Sequence, residues 1–99
     1  MAIKVFGVPL ARQEYKVLDA ITQQDFISYK VLEKIVWGQH PPSNIKNSVK
    51  VVYHKVKNKF NLNIETHHKL GYEWKDLEQK SRLREELDRL NKIYFGAEE

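Results

Sequence analysis

The stretch SNIKNSVKVVYHKVKNKFNLNIETHHKLGYEW, residues 43–74, decides the fold class of this chain. In its first half, apolar side chains recur at the 3.6-residue period of an amphipathic helix; they are Ile45, Val49, Val52, Tyr53, Val56 and Phe60. Ser43 or Asn44 can cap this helix. The second half alternates around a turn at residues 67–71, with Ile64, Thr66, Leu70, Tyr72 and Trp74 as the alternating positions. A helix followed by a two-stranded hairpin is therefore predicted.

The same stretch concentrates positive charge. Between Ser43 and Tyr72 there are six lysines and one acid, Glu65, so this part carries +5 while the rest of the chain carries −1. A charge gathered on one helix and one hairpin is typical of a protein that binds duplex nucleic acid. A basic helix that is merely solvated is the alternative interpretation.

Ahead of the basic stretch, the pattern predicts one strand and two helices. Ile3 and Val5 alternate with Lys4 and Phe6 before Gly7 and Pro9 interrupt the pattern, which favours one short edge strand and a turn. Residues 11–22 carry an apolar stripe at helical spacing. Asp25 or Ser28 can cap a second helix, and Gly38 ends it.

A terminal helix is predicted from Lys75 to about Phe95, where Lys, Arg, Glu and Leu dominate. Its acid-before-base pairs four residues apart are Glu78/Arg82, Glu85/Arg89 and Asp88/Lys92. A 4-3-4 spacing typical of a short two-helix coil joins Leu83, Leu87, Leu90 and Tyr94. We expect this helix to project and to contact a second copy or another protein; folding back onto the core is the alternative. The chain is divided accordingly into residues 1–74 and an appended helix and tail, residues 75–99.

Composition excludes several classes. The 99 residues suit one domain, they include no cysteine, and neither a secretory signal nor a membrane-length apolar run is present, so the cytoplasm is expected. The sequence has no nucleophile elbow, no phosphate-binding glycine loop and no paired carboxylates, so an enzyme is not favoured. No cofactor is expected. The four histidines (His40, His54, His67, His68) lack an H-x-x-x-H pair and cysteine partners, so no metal site is expected.

Four ordered motifs carry a resemblance to a known family. Gly7 and Leu10 with Glu14-Tyr15 and Val17-Leu18 look like "G…LT..E..LL", and Ile27-Ser28 through Val36-Trp37-Gly38 look like "vSreeLl..vWg". Ser48-Val49 through Tyr53, Val56-Lys57 and Lys59-Phe60 look like "tVdvhI..LRkKl", and Ile64, Thr66, Gly71 and Tyr72 look like "I.TvrGvGY". Over about three quarters of its length, the chain resembles the effector domain of OmpR/PhoB-type response regulators.

The resemblance implies an α+β winged helix-turn-helix: a three-helix core with a short N-terminal β element and a C-terminal hairpin wing. The predicted recognition helix offers Asn47, Lys50, His54, Lys55, Lys57, Asn58 and Lys59 to the major groove. The predicted wing offers Thr66, His67, His68 and Lys69 to phosphate or to the adjacent minor groove. Residues 37–43 correspond to the family's segment that contacts RNA polymerase.

The chain also departs from the family pattern. Ala11 replaces a Thr cap, Lys50 stands where an Asp is usual, and His68-Lys69 replaces Arg-Gly. Base preference is therefore not carried over. No receiver domain or phosphoacceptor aspartate is present in these 99 residues, a format we associate by analogy with a small bacterial or phage regulator.

The expected function is sequence-specific binding of double-stranded DNA and regulation of transcription. The alternative is a winged-helix protein-interaction module that binds RNA polymerase or another regulator, through the Leu83 stripe or the Trp37 loop. Binding to single strands or RNA is disfavoured because no aromatic side chain is predicted on the basic face.

Overall fold

The computed structural model describes residues 3–37 and 45–94; the side chains of residue 37 and of residues 45–48 lie outside that description. Within these residues the chain is a mixed α+β protein with four helices and two small antiparallel sheets, which confirms the predicted α+β class. In chain order the elements are β1 (Ile3–Val5), β2 (Val8–Leu10), α1 (Arg12–Ile21), β3 (Phe26–Ser28), α2 (Tyr29–Trp37), α3 (Ile45–Phe60), β4 (Ile64–His67), β5 (Gly71–Trp74) and α4 (Leu77–Tyr94).

The N-terminal element is a hairpin of two strands where one strand was expected. β1 pairs antiparallel with β2, and Phe6 and Gly7 between them both have positive φ, 50° and 79°. Two successive positive φ values are what a two-residue hairpin turn requires. A turn was expected here but the second strand was not, because a phenylalanine rarely takes the first of these positions.

The second sheet has the strand order β3-β5-β4. Its hairpin was predicted, and its register places Ile64 opposite Trp74 and Thr66 opposite Tyr72. β3 was not predicted: this three-residue strand forms by pairing with β5, more than forty residues later in the chain. Such a pairing leaves no local pattern in the sequence.

The helix ends follow local capping chemistry. Ser28 is the cap of α2, since its Oγ accepts the Val31 N–H at 3.2 Å. Asn61 follows the last residue of α3, and its φ of 51° lets the Leu62 N–H reach the Lys57 carbonyl at 3.1 Å. This is the hydrogen bond of a Schellman motif, with Asn in the left-handed position.

The expectation of a projecting terminal helix is wrong. Leu83, Leu87 and Leu90 are 3 %, 0 % and 5 % exposed and belong to the same buried cluster as the cores of α1 and α3. Burying a leucine stabilises by about 1.5–3 kcal/mol, and most of the stability of a helix in a protein comes from packing its apolar face. The helix therefore folds back, and of the predicted partner stripe only Tyr94 is exposed.

Polar contacts hold α4 on α1. Arg84 donates to the Asp19 carboxylate at 2.7 Å and to the Asp19 carbonyl and Thr22 Oγ1 at 3.0 Å each. The Tyr15 hydroxyl donates to Asn91 Oδ1 at 2.5 Å. Burial raises the pKa of Tyr15 to about 12.

Candidate nucleic-acid interface

The solvent-facing side of α3 carries a stripe of polar side chains. Lys50, His54, Lys57 and Asn58 recur at the three- and four-residue spacings that share one helix face. Lys50, His54 and Asn58 are exposed and Lys57 is half-buried. Among the described residues, none of Lys50, His54 and Lys57 forms an ion pair. The ammonium groups of Lys50 and Lys57 are therefore open to an external anion.

A groove lies where α2, α3 and the tip of the β4–β5 hairpin meet. Its volume is about 370 Å³, and it is lined by Tyr29, Lys30, Glu33, Val49, Lys50, His68 and Lys69. We call it the basic groove, since three lysines face one acid. Lys50 Nζ lies 5.3 Å from the centre of the Tyr29 ring, within cation–π range.

Three tyrosines form the wall behind the basic groove. The rings of Tyr53 and Tyr72 stack with centres 3.7 Å apart, and Tyr29 meets Tyr72 edge-on at 5.1 Å. Tyr53 and Tyr72 are buried, and burial raises the pKa of both hydroxyls. This stack fixes α3 against the hairpin, so the helix and the hairpin tip present one continuous surface.

The hairpin tip is a tight turn closed by the Leu70 N–H, which donates to the His67 carbonyl at 3.0 Å. Lys69 occupies it with a φ of 65°, a conformation that glycine adopts without strain and lysine does not. His68 and Lys69 lie at the hairpin tip, as the sequence predicted, and both are exposed and line the basic groove.

Gly71 brings the hairpin next to α2. A Cβ added at Gly71 would lie 2.1 Å from the Ile27 carbonyl oxygen, so no other residue allows β5 to approach β3 this closely. Beyond that contact the Tyr29 N–H donates to the Leu70 carbonyl at 3.0 Å. The start of α2 is thereby fixed beside the hairpin tip.

The prediction that Lys59 binds DNA is corrected by the structure. Its ammonium lies 2.8 Å from Glu14 Oε1 and 3.1 Å from the Pro9 carbonyl, so it ties the end of α3 to α1 and β2. Burial alone would raise the pKa of Glu14, but the hydrogen bonds from Lys59 and from the Ala11 N–H outweigh it and lower that pKa. Lys55 lies on the Lys59 side of α3 and adds to this lowering.

The predicted role of His67 is corrected as well. His67 Nε2 lies 2.8 Å from Glu73 Oε1 and 3.1 Å from Glu65 Oε2. The ring nitrogen is therefore already in contact with two carboxylates. Thr66, next to His67, points to the opposite side of the sheet, towards Tyr53. The hydrogen bond from His67 and the nearby Lys75 lower the pKa of Glu73.

Three residues of this surface were not predicted. Tyr29 and Lys30 line the basic groove because β3 brings the start of α2 there. Val51 is 53 % exposed on the solvent-facing side of α3, between the charged positions. Its signal was present in the sequence, since Val51 falls outside the inward-facing period of this helix.

Some predicted residues lie outside the description. Asn47 is in α3, but its side chain is not described, and residues 38–44, which include His40 and most of the predicted polymerase-contact loop, are not described either.

No protein-family model, curated protein or solved structure matches this chain. Across residues 3–37 and 45–94, no helix combines the length and apolar character needed to span a bilayer.

Proposed function

We propose that this chain is a winged helix-turn-helix protein that binds double-stranded DNA sequence-specifically and regulates transcription. In this proposal α3 is the recognition helix in the major groove, and the β4–β5 hairpin is the wing on the flanking backbone. The order of α2, α3 and the hairpin, with the short N-terminal β element, supports the winged-helix assignment. The protein acts by binding and catalyses no reaction.

The observation that carries the proposal is the set of unpaired cations around the basic groove. Lys30, Lys50 and Lys69 line one concave surface, and none of them forms an ion pair with another described residue. A lysine without an internal carboxylate partner can exchange its counterion for a phosphate with a net gain from counterion release. Lysines that were merely solvated would have no reason to line the same groove.

The outer side of α3 has the donors and the apolar group that base edges require. Asn58 can pair with adenine, as can Asn47 on the same helix, while His54 and Lys57 can donate to guanine or phosphate. Val51 can contact the methyl group of thymine. Phosphate contacts from the groove lysines would set the register in which these side chains meet bases.

The test is a fluorescence anisotropy titration against a random-sequence duplex and a matched single strand at several salt concentrations. If about five lysines neutralise phosphates, log K falls with log salt at a slope of about −4 to −5. The duplex should be preferred over the single strand, and a selected operator should then bind more tightly than random DNA. A slope near zero, or no binding at low salt, would reject the proposal.

A second candidate is a protein-interaction module that binds RNA polymerase or another regulator. Phe6 favours it: the ring is 56 % exposed on a strained turn, and it borders a cavity of about 540 Å³ beside α4. A homodimer through α4 would have to use its outer side, where Leu77, Ile93 and Tyr94 are exposed. Phe6→Ser should abolish partner binding under this candidate and leave duplex binding unchanged under the first.

A further inference from the structure

The outer face of the three-stranded sheet gathers three side chains that are known as metal ligands. Glu65 and Glu73 are direct partners in the β4–β5 ladder, and His67 follows Glu65 by two residues, so all three project from the same face. Their side chains are 49 %, 39 % and 35 % exposed, respectively, so solvent ions reach them. This face is opposite to the one that packs on the core.

The donor atoms already have nearly the spacing of ligands around one ion. One nitrogen and two carboxylate oxygens lie within 4.8 Å of one another, with His67 Nε2 at 2.8 Å and 3.1 Å from the two oxygens. Ligands bound tetrahedrally at about 2.0–2.1 Å are separated by about 3.3 Å. The two nitrogen–oxygen distances therefore need to lengthen by only about 0.2–0.5 Å to match that separation.

The His67 ring is held in place for this role. Phe26, which pairs with Glu73 from the other neighbouring strand, lies against it with ring centres 5.7 Å apart. All three ligand candidates stand on strands rather than on a mobile loop, which limits the ordering that an ion would have to impose.

We propose that Glu65, His67 and Glu73 bind a divalent transition-metal ion, with Zn²⁺ as the best match to one imidazole and two carboxylates. The ion would be held by the Nε2 lone pair of His67 and by one oxygen of each carboxylate. One nitrogen and two oxygens with no sulfur suit Zn²⁺ or Co²⁺. Water completes the coordination sphere.

Lys75 is the internal competitor of this ion. Its ammonium lies 3.3 Å from Glu65 and 3.4 Å from Glu73, on the same two oxygens that His67 contacts. The Lys75 side chain is 46 % exposed and can swing into solvent when an ion arrives. Removing this cation should therefore strengthen metal binding, whereas removal from a simple salt-bridge network would create no metal affinity.

The experiment titrates the chelator-treated full chain with Zn²⁺ by calorimetry and with Co²⁺ by visible absorption. We expect one ion per chain and a loss of at least about tenfold in affinity for His67→Gln. His68→Gln, the neighbouring histidine at the tip, is the matched control and should bind as the parent does. Lys75→Gln should bind about three- to tenfold more tightly.

NMR of the unmutated chain tests the site without relying on folded variants. During the Zn²⁺ titration the ring resonances of His67 should shift, and those of His54 and His68 should not. The proposal is overturned by no binding up to millimolar Zn²⁺, by equal shifts of all the histidine rings, or by a Lys75→Gln variant that binds no better than the parent. Because no DNA is present, these outcomes are independent of the proposed function.

Discussion

The helices α3 and α4 are both rich in charge and use it in opposite ways. α3 has five lysines and no acid, and among those with described side chains only Lys59 is paired. α4 has five basic and four acidic residues, and the four paired basic ones are Lys80, Arg82, Arg84 and Arg89. A paired cation is less available to phosphate, because it would first have to leave its carboxylate. The proposed interface on α3 therefore differs from α4 in its unpaired charge rather than in its total charge.

The largest expected effect concerns α4, whose leucines pack in the core. Leu87→Ala removes a fully buried side chain from α4 and should lower the free energy of unfolding by about 2–5 kcal/mol. Urea denaturation at two protein concentrations checks it. The loss should be the same at both, since Leu87 packs within its own chain; a concentration-dependent midpoint would instead favour a dimer seam.

The second prediction removes the same amount of positive charge from the basic groove and from α4. Replacing Lys30, Lys50 and Lys69 by Gln should weaken duplex binding about 100-fold and make the salt slope shallower by about 3. The matched variant replaces the paired cations Lys80, Arg82 and Arg89 of α4 by Gln and changes the net charge by the same amount. Anisotropy at several salt concentrations compares both the affinity and the slope, and equal losses would show that only net charge matters.

The third prediction separates the hairpin from α2. Gly71→Ala places a methyl group against the Ile27 carbonyl and should cost about 1–3 kcal/mol of stability, because both contacting groups are backbone. Thermal unfolding measures the loss. Gly7→Ala is the control, since a Cβ there meets no atom within 4 Å and only its φ of 79° opposes the change. An unchanged melting temperature for Gly71→Ala would contradict the close approach of β3 and β5.

The smallest effect concerns Glu14, which pairs with Lys59 near the end of α3. The pKa of Glu14 is lowered in the folded chain, so the stability it contributes is present above its ordinary pKa of 4.5 and is lost as the pH falls below it. Glu14→Gln should cost about 1 kcal/mol at pH 7 and much less at pH 3.

Denaturation at both pH values tests this prediction. Glu78→Gln provides the control, because that carboxylate and its partner Arg82 are 73 % and 72 % exposed and their pair contributes about 0–1 kcal/mol. If Glu14→Gln kept the full acid sensitivity of the parent, the assignment of Lys59 to the fold would fail.

Much of the local structure could be predicted, and the reason is the short range of its causes. The span of α3, the β4–β5 hairpin and the terminal helix all followed from apolar periods within a few residues. The ion pairs of α4 show the limit of prediction from such short-range patterns. Glu78–Arg82 formed as expected, but Asp88 pairs with Arg84 and Arg89 with Glu86, because each cation selects among several acids within one turn.

The sequence by itself determined the helical and strand periods, the α+β class and the concentration of lysines in one third of the chain. Only the tertiary structure decided which lysines stay unpaired and that α4 packs on α1. It also decided that the pairing of β3 with β5 places Tyr29 and Lys30, at the start of α2, beside the basic groove. It also brought Glu73 across the ladder to Glu65 and His67. The difference is physical: periodicity records neighbours along the chain, whereas Lys59–Glu14 and Arg84–Asp19 join residues that packing alone brings together.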